Sequence, residues 1–201
     1  ACHSTLRQCI LNGNTSADWD GGGACACFLS GCTLTGNKAM EGDGGGAYVS
    51  TLTDCAVNNN SSWWGGGAYE CTLSNCTLTG NSADSGGGAE GCTLSNCTLT
   101  QNRADSGGGV YDCTLTDCTL TSNSAESGGG ADDSTLSNCT IVGNSAEKRG
   151  GGGYYSTLIH CVVRDNQAQT DDGGGAYRCT MSNCLLFGNS SGNRGGGAYW
   201  S

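Results

Sequence analysis

The stretch that decides the fold runs from Gly65 to Ser85: GGGAYECTLSNCTLTGNSADS. It recurs with substitutions along the whole chain. The triglycine that opens it begins at Gly21, Gly44, Gly65, Gly86, Gly107, Gly128, Gly150, Gly173 and Gly195, a period of 21 to 23 residues. A period of this size marks a stacked-repeat architecture. Within the unit, Cys76-Thr77-Leu78-Thr79 alternates apolar with hydroxyl residues, the period of two of a short strand with one inward and one outward side. Helix is disfavoured by the Gly, Thr, Ser and Asn that crowd every row. Corners are expected at Ser74-Asn75 and Gly80-Asn81. Three short strands and three corners per row predict one coil of an all-β solenoid, with like residues stacked about 4.8 Å apart. The chain then reads as one domain, residues 1–201, of about nine coils plus a stub from Gly195 to Ser201.

Aligned rows expose columns. Cysteine fills one in every row: Cys9, Cys32, Cys55, Cys76, Cys97, Cys118, Cys139, Cys161 and Cys184. Three residues earlier runs an aliphatic column from Leu6 to Met181, and two residues later another from Leu11 to Leu186. Five residues after the cysteine stands Asn14, Asn37, Asn60, Asn81, Asn102, Asn123, Asn144, Asn166 or Asn189. A mixed column holds Ser4, Cys27, Ser50, Cys71, Cys92, Cys113, Ser134, Ser156 and Cys179. An inward Asn can bond the Asn above and below it, which satisfies a buried amide along the whole stack.

Composition bounds the function. Leu, Ile, Val and Phe number 26 of 201 residues, a fraction that with a net charge of −10 ordinarily reads as disorder. The columns reverse that reading, because 17 of the 26 stand in the two aliphatic columns. The core is thin rather than missing. No apolar run is long enough to span a membrane as a helix. Eight scattered basic residues against 18 acidic ones make a poor nucleic-acid binder. Sixteen cysteines suit an oxidising, extracellular setting. Ala1 in place of Met predicts a mature chain that has lost a leader.

The rows resemble the parallel β-helix repeats of bacterial surface and autotransporter-type proteins, above all the polymorphic outer-membrane protein repeat. That repeat pairs a GGAI with an FxxN tetrapeptide. Gly66-Gly67-Ala68-Tyr69 stands for the first here and Leu78-Thr79-Gly80-Asn81 for the second. Tyr for Ile, Leu for Phe and a cysteine in every row are departures. The resemblance implies a right-handed helix, secreted or displayed on a cell surface. It implies no ligand.

Solenoids commonly end in atypical polar caps. The first and last rows still carry the Cys, Leu and Asn columns, so the expectation is head-to-tail stacking of copies into a fibre or surface appendage, the simpler reading being caps that lie outside these 201 residues. The alternative is a monomeric binding protein, for ice or for polysaccharide. No catalytic residue, no cofactor and no resident metal is assigned.

Four constellations stand as candidates. Glu70, Glu90, Asp112, Asp132 and Asp133 read as one acidic corner column and are weak Ca²⁺ candidates, with a solvated acidic face as the simpler reading. The loops before triglycine are acidic too, with Asp18, Asp20, Glu41, Asp43, Asp84, Asp105, Glu126, Asp171 and Asp172. Thr33/Thr35, Thr77/Thr79, Thr98/Thr100 and Thr119/Thr121, followed by Thr140, form a Thr-x-Thr array similar to the ice-binding face of some solenoid antifreeze proteins. Tyr48, Tyr69, Tyr111, Tyr154, Tyr177 and Tyr199, flanked by Tyr155 and Trp200, form an aromatic corner suited to sugars, to neighbouring fibres or simply to shielding. The cysteines read as a stacked thiol ladder, as disulfides or as a metal site. Cys2 and Cys25, in neighbouring rows of one column, are the best candidate disulfide pair. His3 and His160 fall in different rows and form no triad.

Overall fold

The computed structural model describes residues 1–17 and 20–201. Asp18 therefore lies outside the described residues. The strands are all parallel and pair coil upon coil in three nine-stranded sheets. The first sheet begins with Thr5–Arg7 and ends with Thr180–Ser182. The second begins with Ile10–Asn12 and ends with Leu185–Phe187. The third begins with Ala24–Cys25 and ends with Ala198–Tyr199. No described residue is helical. The molecule is a parallel β-solenoid of about nine turns.

Register follows the columns. Leu73 pairs with Leu52 and Leu94, and Leu78 with Val57 and Leu99. These side chains are buried, while the flanking Thr72 and Thr77 are exposed. A third inward column comes from the third sheet: Ala24, Ala47, Ala68, Ala89, Val110, Ala131, Gly153 and Ala176. Small residues there let the sheet approach the two leucine columns across a narrow core.

The expected three corners are four. Left-handed backbone recurs before the Cys column (Asn75, φ 53°), before the Asn column (Gly80, φ 65°), before the mixed Cys/Ser column (Glu70, φ 49°) and at the first glycine of the triplet (Gly65, φ 58°). The fourth side is paired only in part. Ser124–Ser127, Ser145–Arg149, Gln167–Ala168 and Ser190–Ser191 form one short sheet, and Thr15–Ser16 pairs with Lys38–Ala39. The next two glycines are required for another reason. A Cβ on Gly66 would stand 2.6 Å from the Gly87 carbonyl oxygen of the next coil, and one on Gly67 2.5 Å from that of Gly88. Triglycine is where backbone packs on backbone with no room for a side chain.

Candidate functional site

A solenoid offers ends and lateral faces. The ends are decided by what happens at the corners. At three of the four corners the residue that follows directs its N–H along the stack, where a side chain of the next coil receives it; after Gly65 the Gly66 N–H meets the Gly86 carbonyl instead. In the Cys column, Cys55 N–H donates to Cys76 Sγ at 3.4 Å and Cys97 N–H to Cys118 Sγ at 3.4 Å. In the mixed column, Cys71 N–H donates to Cys92 Sγ at 3.2 Å, and Cys113 N–H to Ser134 Oγ at 3.0 Å. In the third column, Asn81 N–H donates to Asn102 Oδ1 at 2.9 Å. Asn81 Nδ2 donates to the same oxygen at 3.0 Å and to the Val57 carbonyl of the coil below at 2.9 Å.

This geometry accounts for the cysteines. Each buried thiol also donates to a carbonyl two residues back, as Cys71 does to Tyr69 O at 3.2 Å and Cys76 to Ser74 O at 3.2 Å. Ser50 Oγ makes the same bond to Tyr48 O at 2.8 Å. The position asks for one small group that both donates and accepts, which thiol and hydroxyl both are. Cys and Ser therefore alternate freely in the mixed column. Burial holds the Cys71 and Cys92 thiols well above their ordinary pKa, so they stay protonated and able to donate. All sixteen cysteines are free thiols. Cys2 and Cys25 meet across an isolated parallel bridge near the surface. Burial, followed by the charge of Cys2, raises the Cys25 thiol.

The acidic residues do not form the single column read from the sequence. Glu70, Asp112 and Asp133 occupy the left-handed corner position, whereas Glu90 and Asp132 lie one residue earlier, in the strand, paired with tyrosines above and below. Gly91 interrupts the corner column between Glu70 and Asp112. No three His, Cys, Asp or Glu side chains converge on a metal-sized site among the described residues, so the Ca²⁺ candidates lack a coordinating cluster. Asp132 is buried, at 3% exposure. Burial and then the charge of Asp133 push its carboxyl up to about 7, against a downward pull from the Asp133 N–H. Burial, then Asp20 and Glu70, raise Asp43 to about 6, and its Oδ1 has no hydrogen-bond partner among the described residues.

The tyrosines share the strand column with Glu90 and Asp132. Tyr48 stacks on Tyr69, and Tyr154 on Tyr177 and then Tyr199. Tyr155 and Trp200 stand at the adjoining corner. The Arg178 guanidinium lies over the Trp200 ring at 4.5 Å from its centre and near the rings of Tyr155 and Tyr177. Arg149 lies over Tyr177, and Arg194 approaches the Tyr199 hydroxyl. Sequence reasoning missed this arginine–aromatic platform, because Arg149, Tyr177, Arg178 and Trp200 stand in three different rows, and Arg149 and Arg178 in different columns. His3 and His160 occupy different corners, and His160 meets Asn183 at 3.1 Å.

The Thr-x-Thr array of the second sheet stands in register from Thr77/Thr79 to Thr119/Thr121, is broken below by Ala56/Asn58, and continues above as Thr140/Val142. The first sheet carries a longer one that the sequence reading passed over. Thr51, Thr72, Thr93, Thr114, Thr135, Thr157 and Thr180 pair in unbroken sequence, with Thr53, Ser74, Ser95, Thr116 and Ser137 beside the first five. The signal was present in the Thr that precedes each first-sheet leucine. Phe28, 64% exposed, interrupts the column near its start.

The sequence matches no protein-family model and no curated protein. Among solved structures, the fold is similar to QnrB1, a plasmid-mediated fluoroquinolone resistance protein, at 12% identity over 91% of this chain and 92% of that one, with a TM-score of 0.39. It is also similar to HetL, a pentapeptide repeat protein involved in heterocyst differentiation regulation from the cyanobacterium Nostoc. That match has 12% identity over 96% of this chain and 89% of the other, with a TM-score of 0.31. The Dettilon tailspike protein matches at 9% identity over 94% of this chain and 60% of its own, with a TM-score of 0.38. Likenesses this remote carry no argument about ligand, partner or activity. The strand pairing itself defines the chain as a parallel β-solenoid repeat protein.

Proposed function

We propose that this chain is an extracellular structural protein, with no catalytic role, whose copies stack head to tail into a fibre or surface appendage. One observation supports the reading: along the Asn column each N–H from Asn14 to Asn166 donates to the Asn side chain of the next coil, and the Cys column from Cys9 to Cys97 and the mixed column from Cys27 to Ser134 repeat the pattern. The top of any coil is therefore complementary to the bottom of any other. By extension of the bonds from Asn14 to Asn37 and from Asn166 to Asn189, the Asn189 N–H would meet Asn14 Oδ1 of a second copy. The half-buried Met181 and Leu186 at one end would cover Leu6 and Leu11 at the other. Charge favours the same polarity. Residues 1–133 hold fourteen acidic and three basic side chains, and residues 134–201 hold four and five, so unlike ends meet head to tail and like ends meet otherwise.

A gapless junction has one steric consequence. If Thr5 of one copy seats on Thr180 of another, Ala1–Ser4 of the first and Ala198–Ser201 of the second claim the same place in the third sheet. One of the two segments must leave it. Sedimentation velocity over a range of concentrations tests the reading: open-ended growth is expected, and removal of Ala198–Ser201 is expected to promote it. A single monomeric species at all concentrations would overturn it. Location outside the cell rests on the repeat resemblance.

A second reading is favoured by the first-sheet threonine column. Its grid of methyl and hydroxyl groups, about 4.8 Å between coils and about 6.7 Å along a strand, presents a flat, regular face to water, as an ice-binding surface would. Thermal hysteresis that is lost on Thr93→Tyr and Thr114→Tyr substitution would support it, and no hysteresis would refute it.

A further inference from the structure

The third face is divided along the solenoid axis. Its outward positions in successive coils are Tyr69 and Glu70, Glu90 and Gly91, Tyr111 and Asp112, Asp132 and Asp133, then Tyr154 and Tyr155, Tyr177 and Arg178, and Tyr199 and Trp200. Every charged side chain among these is acidic as far as Asp133, and the only one after it is Arg178. Glu70, Asp112 and Asp133 are exposed and belong to none of the ion pairs among the described residues. Arg178 is exposed too, bonds the Tyr155 hydroxyl, and has no carboxylate partner among the described residues. Trp200 is 66% exposed although it stacks on Tyr199.

We propose that this face pairs two copies of the chain side by side and antiparallel, about a two-fold axis that passes between Asp133 and Tyr155. A two-fold contact must be self-complementary, each patch meeting the other's counterpart. With the axis placed there, rows equally distant from it meet. Arg178 of each copy faces Asp112 of the other. The Tyr155 hydroxyl faces Asp133. Trp200 lies over Gly91, the one corner position in this stretch with no side chain. Three independent features thus fall into register at one setting: charge opposite charge, donor opposite acceptor, and the bulkiest ring opposite the only gap. The Arg178 guanidinium is already held against the Tyr155, Tyr177 and Trp200 rings, so little freedom is lost on pairing. The patch is six coils tall but narrow, which makes a single pair weak and salt-sensitive. In a stacked fibre the same contact would repeat once per subunit and join two antiparallel fibres by avidity.

The pairing does not depend on end-to-end stacking, and the two are read separately. Stacking lengthens the particle; pairing doubles its width. Class averages of the purified protein by electron microscopy, at low and high salt, are expected to show double-width particles that separate at high salt. Arg178→Asp should reduce the paired fraction at least about tenfold at equal concentration. The exchange Arg178→Asp with Asp112→Arg should restore it, with β-sheet circular dichroism confirming that each variant folds. Trp200→Gly should weaken pairing. Single-width particles at low salt, or an Arg178→Asp defect that the exchange fails to repair, would overturn the proposal.

Discussion

At the scale of the residue, the chain is governed by what a corner demands of the group behind it. Cys76 receives the Cys55 N–H and donates to Ser74 O, so it is a hydrogen-bonding residue as much as a packing one. Cys76→Ser keeps both bonds and should cost under about 1 kcal/mol. Cys76→Val fills the space but leaves the Cys55 N–H buried and unpaired, a loss of about 1–3 kcal/mol that chemical denaturation would read. Left-handed backbone makes its own demand. Most corner residues are Gly, Asn or Asp, but Val49 sits there with φ 44°, where a β-branched side chain is strained. Val49→Asn should raise stability by about 1 kcal/mol. Asp132 carries a pH signature. Its carboxyl is raised to about 7 in the folded chain, so the fold favours the protonated form. The stability this group contributes is present below its ordinary pKa of about 4 and is lost as pH rises through 7. Asp132→Asn should therefore stabilise the protein at pH above 7, by as much as about 4 kcal/mol, and make little difference near pH 3. Melting curves across that range check the sign.

At the scale of the element, the columns were legible in the sequence because a parallel stack places identical phases above one another. Leu73, Leu78, Asn81 and Cys76 could be assigned inward positions from the alternation alone. Two features were not legible. The corner at Gly65 looks like one residue of a glycine run, and only its φ separates it from Gly66 and Gly67, whose reason is backbone contact. The acids at Glu90 and Asp132 were read one position off, into the corner column of Glu70. Adjacent outward residues at a tight corner have no alternation to tell them apart. The cysteine columns make a prediction at this scale. Their sulfurs are engaged in hydrogen bonds along the stack, and a disulfide would remove both a donor and an acceptor. Thiol titration in denaturant should find all sixteen cysteines reactive, or fourteen where Cys2 and Cys25 have joined. In the native protein Cys2 should react first and Cys9, Cys25 and Cys184 next, ahead of the twelve buried thiols, as their exposure dictates. A smaller total would mean that the interior columns are cross-linked and that the hydrogen-bonding account of them is wrong.

At the scale of the whole molecule, a core one aliphatic pair wide is long and thin, and it is enclosed laterally by the sheets. The pairing that joins Asn81 to Asn102 recurs without a break from Asn14 to Asn189. The charge gradient, acidic through Asp133 and nearly balanced beyond it, gives that axis a direction. The proposed filament rests on that repeating pairing and on the polar axis. The most direct measurement is electron microscopy of the purified protein at rising concentration, with the axial repeat taken from the filament power spectrum. The account predicts filaments with a strong spacing near about 4.8 Å from the coils and a subunit repeat of roughly 43 Å from nine of them. Discrete particles of one subunit's length at every concentration would contradict it.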